Sequence, residues 1–155
     1  EWNEPRSVGE GLAVTIRSFS YRKGYPKEAG NHGGGFVFDC RQLDNPGRLA
    51  QFKVLTGLDR DVIAFLEGDS RVERFFEGVA MLVEGAVANY LDRGFSSLTV
   101  SFGCTGGQHR SVYFAERLSR FLRDQFDRIT TVVEHCESDA WPQPPVDVPS
   151  IRPQL

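Results

Sequence analysis

The chain has 155 residues, 40% of them hydrophobic and 25% charged, a length that suits one domain whose core needs no metal or disulfide to support it. Its 18 basic and 21 acidic residues give a net charge of −3, which excludes a general electrostatic attraction for nucleic acid. The three cysteines form no CxxC pair and no apolar run approaches the length of a membrane span, so we expect a cytoplasmic protein that uses no metal or cofactor.

Two strands are predicted in the first part of the chain. The β-branched, partly alternating segment 12–19 predicts the first strand, and the polar and aromatic stretch 20–26 predicts the loop that follows it. Glycines within 30–35 interrupt the chain before 36–38, a short apolar run typical of a buried strand. The polar residues at 39–41 would then lie at the carboxyl end of this second strand.

Two helices are predicted next. Apolar residues within 59–67 have the spacing of a short helix that ends at Gly68. A capping box at 70–73 predicts the start of a longer helix, in which apolar residues recur every three or four positions over 72–91 before Gly94 ends it. We interpret this apolar stripe as core.

The remaining elements define the fold class. Segment 97–102 predicts a strand, 112–126 an amphipathic helix, and 129–133 a last β-branched strand. The order ββααβαβ predicts an α/β fold, a single layered domain with a mostly parallel sheet. In such folds ligands bind beyond the carboxyl ends of the strands.

Composition changes after residue 136. Five of the eight prolines lie in 142–153, and residues 137–155 hold three acidic residues against one arginine. Because such a segment buries too little apolar surface to offset the entropy of ordering, we predict a domain over 1–136 and a proline-rich acidic tail or linker over 137–155. Trp141 is the one candidate anchor for this tail.

A small-residue loop lies between the strand at 97–102 and the helix that follows it. Backbone N–H groups at a helix start point outward and the helix dipole favours an anion, so the loop predicts a phosphate-binding site. We expect Gly103, Gly106 and Gly107 to allow positive φ angles and close approach of an oxyanion. Side-chain donors would complete the site. The candidate ligand-binding residues are Cys104, Thr105, Gly106, Gly107, Gln108, His109, Arg110 and Ser111, with Asp39 and Arg41 from the second strand.

The three histidines receive different interpretations. His109, at a predicted helix start, is a candidate cation or titratable group in the loop. His135, after the last strand, is predicted to be a surface residue. His32, in a glycine-rich loop, is left undecided.

The same loop also permits an enzyme. Cys104, five intervening residues, Arg110 and Ser111 resemble the C-x5-R-[ST] loop of cysteine-dependent phosphatases. In that reading the Cys104 thiolate attacks phosphorus, Arg110 holds the equatorial oxygens, and Asp39 or Asp44 protonates the leaving group. A third possibility is an interaction module, in which the loop holds an acidic side chain of a protein partner or an RNA phosphate.

Ordered motifs over most of the chain resemble the C-terminal domain of the RapZ family of bacterial RNase adapter proteins. The motifs are SFSYRKGYP at 18–26, VFDCR at 37–41, DNP at 44–46, LTGLD at 55–59 and GCTGGQHRS at 103–111. The resemblance implies a domain that senses an amino-sugar phosphate, glucosamine 6-phosphate, and that contacts a small regulatory RNA and an endoribonuclease. It further implies that four loop residues surround the phosphate, with two strand residues nearby: Thr105, Gly106, His109 and Arg110, and Asp39 and Arg41.

Three departures from the family pattern bear on the function. Gly47 follows Asn45-Pro46 where the family has a pocket histidine, a gap that His32 is the candidate to fill. The acidic, proline-rich end replaces the family's basic tail and removes the main counterion-release argument for RNA affinity. Residues 103–111 do not match the G-x-x-x-x-G-K-[ST] spacing, so ATP hydrolysis is not predicted.

Overall fold

The computed structural model describes residues 11–27 and 35–143. A four-stranded sheet has the order β2-β3-β1-β4, and all of its strand pairs are parallel. The strands are β1 (Leu12–Ser20), β2 (Phe36–Asp39), β3 (Ser97–Cys104) and β4 (Ile129–His135), and the helices are α1 (Arg60–Glu67), α2 (Ser70–Asp92) and α3 (Arg110–Gln125). The predicted α/β fold class and the order of the main elements are confirmed.

The core lies between the helices and one face of the sheet. Alternate residues of a strand point to the same face, and the alternate residues Leu12, Val14 and Ile16 of β1 are buried in the same cluster as Val83 of α2 and Leu118 of α3. Most of the apolar stripe that the sequence placed on the long helix therefore belongs to the core, but Leu82, which the spacing assigned to the core, is 55% exposed. Burial of this surface is the main contribution to the stability of the domain.

Two local predictions about helix ends and turns need correction. Helix α2 is capped by Asp69, whose side chain accepts a hydrogen bond from the Arg71 backbone N–H, and not by a box that starts at Ser70. Aspartate is a strong N-cap. The helix therefore starts at the position that the sequence predicted, although the capping contact differs from the predicted one. Between β2 and α1 the chain forms two short 3-10 helices, Pro46–Arg48 and Ala50–Phe52, which the sequence did not indicate.

The register of the parallel strands brings their carboxyl ends together. Ser20 of β1 lies beside Cys104 of β3, and Asp39 of β2 lies beside Gly103. Hydrogen bonds extend both pairings beyond the strands, from Tyr21 N–H to the Cys104 carbonyl (3.0 Å) and from Cys40 N–H to the Gly103 carbonyl (2.8 Å). The loops after β1, β2 and β3 therefore meet at one edge of the sheet.

The segment after β4 returns to this edge. Residues Ser138–Ala140 form a 3-10 helix, and the indole N–H of Trp141 donates to the Gly107 carbonyl at 3.1 Å. Residues 137–143 thus contact the glycine loop, while the rest of the proposed tail, like His32, lies outside the described residues. The predicted boundary after residue 136 stays a prediction.

Candidate functional site

The glycines of the loop after β3 have three different roles. Gly107 has a φ of 67°, and a Cβ there would lie 2.7 Å from the Glu137 side chain. Gly103 is not among the glycines with positive φ, but a Cβ there would lie 2.4 Å from the Tyr21 ring. Gly106 also has no positive φ, and a Cβ there would meet nothing within 4 Å. The expectation of positive φ at all three positions is therefore wrong for Gly103 and Gly106.

The backbone N–H groups of this loop have no hydrogen-bond acceptor among the described residues. No backbone N–H from Thr105 through Ser111 donates a hydrogen bond to another described residue. Helix α3 begins at Arg110, and the His109 side chain does not cap it. The first turn of a helix leaves its N–H groups without intrahelical partners, and its dipole adds partial positive charge. Seven consecutive donors thus remain for solvent or for an acceptor such as an oxyanion.

Arg110 carries a buried positive charge without an acidic partner. The residue is 3% exposed, and Nη1 donates to the carbonyls of Leu43 (2.7 Å) and Arg41 (3.2 Å). Nη2 lies 3.4 Å from the Thr105 hydroxyl oxygen, and among buried side-chain N and O atoms of the described residues only Arg110 Nε has no hydrogen-bond partner. No carboxylate in the described ranges forms an ion pair with this guanidinium. Burying an unpaired charge is costly, so the site suits an anionic ligand.

His109 is neutral rather than cationic at neutral pH. It is 8% exposed, and burial is the main cause that lowers the pKa of its imidazole below the ordinary value. Its Nε2 lies 2.8 Å from the Phe52 carbonyl oxygen, which only accepts, so Nε2 carries the proton and Nδ1 is left as an acceptor. A Cβ at Gly47 would lie 3.2 Å from the His109 ring, so the chain has its smallest residue where the histidine packs.

Gln108 holds the adjacent segment in place. Its side-chain Nε2 donates to the backbone carbonyls of Leu55 (2.7 Å) and Lys53 (3.0 Å). The backbone carbonyl of Gln108 accepts a hydrogen bond from Gly57 N–H at 2.9 Å. The segment 53–57 is thereby fastened along the loop. Its motif was visible in the sequence, but its position beside the loop follows only from these contacts.

Cys104 and Ser111 lie below the loop and inside the core. Cys104 is 2% exposed, Ser111 is fully buried, and the thiol and hydroxyl lie 3.1 Å apart. A phosphatase nucleophile must reach the phosphorus of a bound substrate, and this thiol instead packs in the same apolar cluster as Phe102. The geometry favours a supporting role for both side chains.

Asp39 and Arg41 form a bidentate ion pair at the rim of the site, where β2 ends beside the loop. Arg41 Nε donates to Asp39 Oδ1 (2.9 Å) and Nη2 to Oδ2 (2.7 Å), and the guanidinium lies 3.9 Å from the centre of the Tyr21 ring. The hydrogen bonds from Arg41 lower the pKa of the Asp39 carboxyl, which is therefore ionised at neutral pH and unsuited to protonate a leaving group. Asp44, the other candidate acid, pairs instead with Arg71 at 2.9 Å.

One cluster beside the loop was missed by sequence reasoning. His135, predicted to lie on the surface, has a side chain only 12% exposed. Its Nδ1 lies 2.7 Å from the Ser18 hydroxyl and its Nε2 lies 2.7 Å from the Glu116 carboxylate. Ser18 is fully buried, so this serine–histidine–glutamate row offers no nucleophile to a substrate. The strand register, which sets Ser18 beside His135, is what brings the row together.

Metal-binding clusters and membrane-spanning helices are both absent from the described ranges. No group of three or more histidine, cysteine, aspartate or glutamate side chains in these ranges is arranged to hold a metal ion. None of the described helices has the length and apolar character to cross a membrane.

Comparison with known proteins gives one consistent result. Residues 12–139 match the family model described as the RapZ C-terminal domain. A protein named "Nucleotide-binding protein" from Dinoroseobacter shibae is 43% identical over 111 residues, which cover 72% of this chain and 35% of that protein. Proteins of the same name from Polynucleobacter necessarius (39% identity; 85% of this chain, 44% of that protein) and Acidithiobacillus ferrooxidans (38%; 88% and 43%) are also similar. The chain thus spans less than half the length of each of these relatives.

Proposed function

Because this chain belongs to the RapZ C-terminal domain family, we propose that it is a sensor domain that binds a phosphorylated small molecule at residues 104–111. The ligand we propose is an amino-sugar phosphate such as glucosamine 6-phosphate. The domain would act as a regulatory adapter whose interaction with a partner depends on whether the ligand is bound. It would not catalyse a reaction.

The observation that carries the proposal is the buried charge of Arg110. A guanidinium that is 3% exposed and contacts only carbonyl and hydroxyl oxygens has no carboxylate in direct contact to offset the cost of its burial, since Asp39 acts on it only through space. A phosphate dianion would supply that charge. It would also accept hydrogen bonds from the unpartnered amides of 105–111, which are arranged as in helix-terminal anion sites.

The rim offers recognition for an amine. Asp39 is ionised and its side chain is nearly half exposed, so it can accept a hydrogen bond from a ligand ammonium while it still holds Arg41. A sugar phosphate that carries an amine would therefore bind more tightly than the same sugar phosphate with a hydroxyl in its place. This reasoning supports glucosamine 6-phosphate over glucose 6-phosphate.

Nucleotides are the second candidate ligand. The relatives' name supports it, and a nucleotide's terminal phosphate presents the same dianion to Arg110 and the loop amides. Because the chain corresponds to only a part of those relatives, their name does not say which of their segments binds the nucleotide.

The test is a titration of the amide NMR spectrum with glucosamine 6-phosphate, glucose 6-phosphate, inorganic phosphate and adenosine monophosphate in parallel. We expect shifts confined to residues 103–111 and 39–41, with the amino sugar saturating first. The variant Gly106→Ala should abolish these shifts and keep the fold, because its methyl group enters open space where the ligand would approach. Gly68→Ala, whose Cβ would make only ordinary contacts at 3.5 Å, is the matched control.

Each other outcome has a clear meaning. Equal binding of glucose and glucosamine phosphates would refute the role of Asp39, and tighter binding of the nucleotide would replace the sugar by the second candidate. Absence of shifts with every compound would refute the anion site. Turnover of an aryl phosphate that disappears in Cys104→Ser would establish the phosphatase instead.

A further inference from the structure

Two side chains from outside the loop after β3 donate hydrogen bonds to its backbone carbonyls. The Ser20 hydroxyl donates to the Thr105 carbonyl at 2.7 Å, and the Trp141 indole N–H donates to the Gly107 carbonyl at 3.1 Å. Ser20 is the last residue of β1, and Trp141 follows the 3-10 helix that comes after β4. The end of β1 and the segment after β4 therefore both hold the backbone of the loop.

Each of these carbonyls belongs to a peptide unit that also carries a loop N–H group. A trans peptide is planar, and its C=O and N–H bonds point in opposite directions. The hydrogen bond from Ser20 therefore directs the Gly106 N–H away from the end of β1. In the same way, the hydrogen bond from Trp141 directs the Gln108 N–H away from the indole. Both N–H groups are among those that have no acceptor in the described part of the chain.

The loop is closely packed on one side and open on another. A Cβ at Gly107 would lie 2.7 Å from the Glu137 side chain and 3.0 Å from the backbone nitrogen of Ser20. A Cβ at Gly106 would instead meet nothing within 4 Å. The packed side leaves no space for a ligand, so an anion would approach from the side that Gly106 leaves open.

The indole of Trp141 is itself held by a neighbouring histidine. The ring centres of His135 and Trp141 lie 5.4 Å apart. Both ring nitrogens of His135 have partners, the Ser18 hydroxyl and the Glu116 carboxylate, each at 2.7 Å. Because the imidazole is fixed at both nitrogens, it gives the indole a rigid surface to pack against. The row of Ser18, His135 and Glu116 therefore supports the contact between Trp141 and the loop.

We propose that Ser20 and Trp141 are positioning residues of the anion site. By fixing two peptide units of the loop, they aim the N–H groups of Gly106 and Gln108 at a phosphate before it binds. A donor that is already oriented loses less freedom on binding, and a carbonyl that accepts a hydrogen bond polarises the N–H of its own peptide unit. The inference rests on the proposed function, because both residues act on the ligand only through the loop.

The first test measures the phosphate affinity of Ser20→Ala and Trp141→Phe by isothermal titration calorimetry. Inorganic phosphate and glucosamine 6-phosphate are the two probes. We expect the dissociation constant to rise by at least about fivefold in each variant, as the loss of one net hydrogen bond implies. The factor should be the same for both probes, because Ser20 and Trp141 orient only the loop that holds the phosphate.

Ser119→Ala and Tyr113→Phe are the matched controls. The Ser119 hydroxyl donates to the Thr131 hydroxyl at 3.1 Å, and the Tyr113 hydroxyl donates to Glu67 at 2.9 Å, so neither side chain holds a loop carbonyl. Each control removes a buried hydroxyl and should lower stability to urea about as much as the test variants do. Both dissociation constants should remain at the wild-type values.

The second test follows the indole N–H of Trp141 by NMR, a side-chain signal separate from the backbone amides. The chain has two tryptophans, and Trp2→Phe identifies the Trp141 signal. A phosphate on the Gln108 N–H makes the Gly107 carbonyl of the same peptide unit a stronger acceptor. We therefore expect the indole signal to move downfield and to exchange more slowly with water on saturation with inorganic phosphate. A residue that only stabilised the fold would not respond to the ligand.

The possible results separate this inference from the proposed function. Wild-type affinity in folded Ser20→Ala and Trp141→Phe proteins would overturn the inference and leave the anion site in place. An indole signal that does not move while phosphate binds would overturn the role of Trp141. A wild-type chain that binds neither probe would refute the proposed function and the inference with it. Circular dichroism checks that each variant is folded, and the indole test uses a chain that keeps both donors.

Discussion

Replacing Arg110 by methionine should separate ligand binding from folding. Methionine is unbranched and apolar and can fill the space of the guanidinium stem. The substitution removes a buried unpaired charge, whose desolvation costs several kcal/mol, but it also takes the donor from the Leu43 and Arg41 carbonyls, about 1–3 kcal/mol each. The two effects oppose each other, so we expect the free energy of unfolding of the ligand-free protein to change by no more than about 2 kcal/mol.

Binding should respond far more strongly than stability. A phosphate that loses a close, desolvated guanidinium partner loses about 3 kcal/mol or more, which corresponds to at least about a hundredfold rise in the dissociation constant. Isothermal titration calorimetry with glucosamine 6-phosphate and urea unfolding of the same preparation measure both quantities. Arg110→Lys, which keeps the charge and loses the planar fork, should fall between wild type and Arg110→Met.

The control is Arg117→Met on the same helix. Arg117 donates to Glu73 at 2.7 Å and to the Tyr113 hydroxyl at 3.1 Å, away from the loop, so its loss should lower stability and leave affinity unchanged. Undiminished affinity in a folded Arg110→Met protein would show that this guanidinium does not anchor the ligand. A loss of more than about 4 kcal/mol of stability would show that Arg110 is chiefly a structural residue, since breaking a needed buried interaction costs this much.

Three further predictions follow from the loop and its neighbours. Gly107→Ala should lower the free energy of unfolding by about 1–2 kcal/mol or more, because of its φ of 67°, whereas thermal denaturation should find Gly106→Ala close to wild type. The folded state holds the pKa of His109 below its ordinary value, so stability should increase as pH rises through about 6.5 and decline below it; urea unfolding at several pH values should show a shallower slope in His109→Gln. Trp141→Phe removes the indole donor to the Gly107 carbonyl and should cost about 1 kcal/mol, with faster amide hydrogen exchange at 137–143; equal exchange rates would mean that this contact does not hold the segment.

Local patterns in the sequence determined the elements and their order. Spacings of three to four residues identified α1, α2 and α3, and short apolar or β-branched runs identified β1, β2, β3 and β4, because burial constrains each element separately. The small polar loop between β3 and α3 was recognisable for the same reason, since a strand end, glycines and a helix start are neighbours in the chain. The meeting of the loops at one sheet edge followed from the rule that parallel strands end on the same side.

Tertiary contacts decided the chemical state of the side chains. That Arg110 has carbonyl partners and no acid, that His109 is neutral, that Cys104 lies in the core and that His135 is enclosed all depend on residues far away in sequence, such as Leu43, Phe52 and Ser18. Burial and partner charges set protonation and accessibility, and both arise only when distant segments pack together. The exposure of Leu82 on α2 has the same origin: its spacing assigned it to the core, and only the packed domain shows that it is 55% exposed.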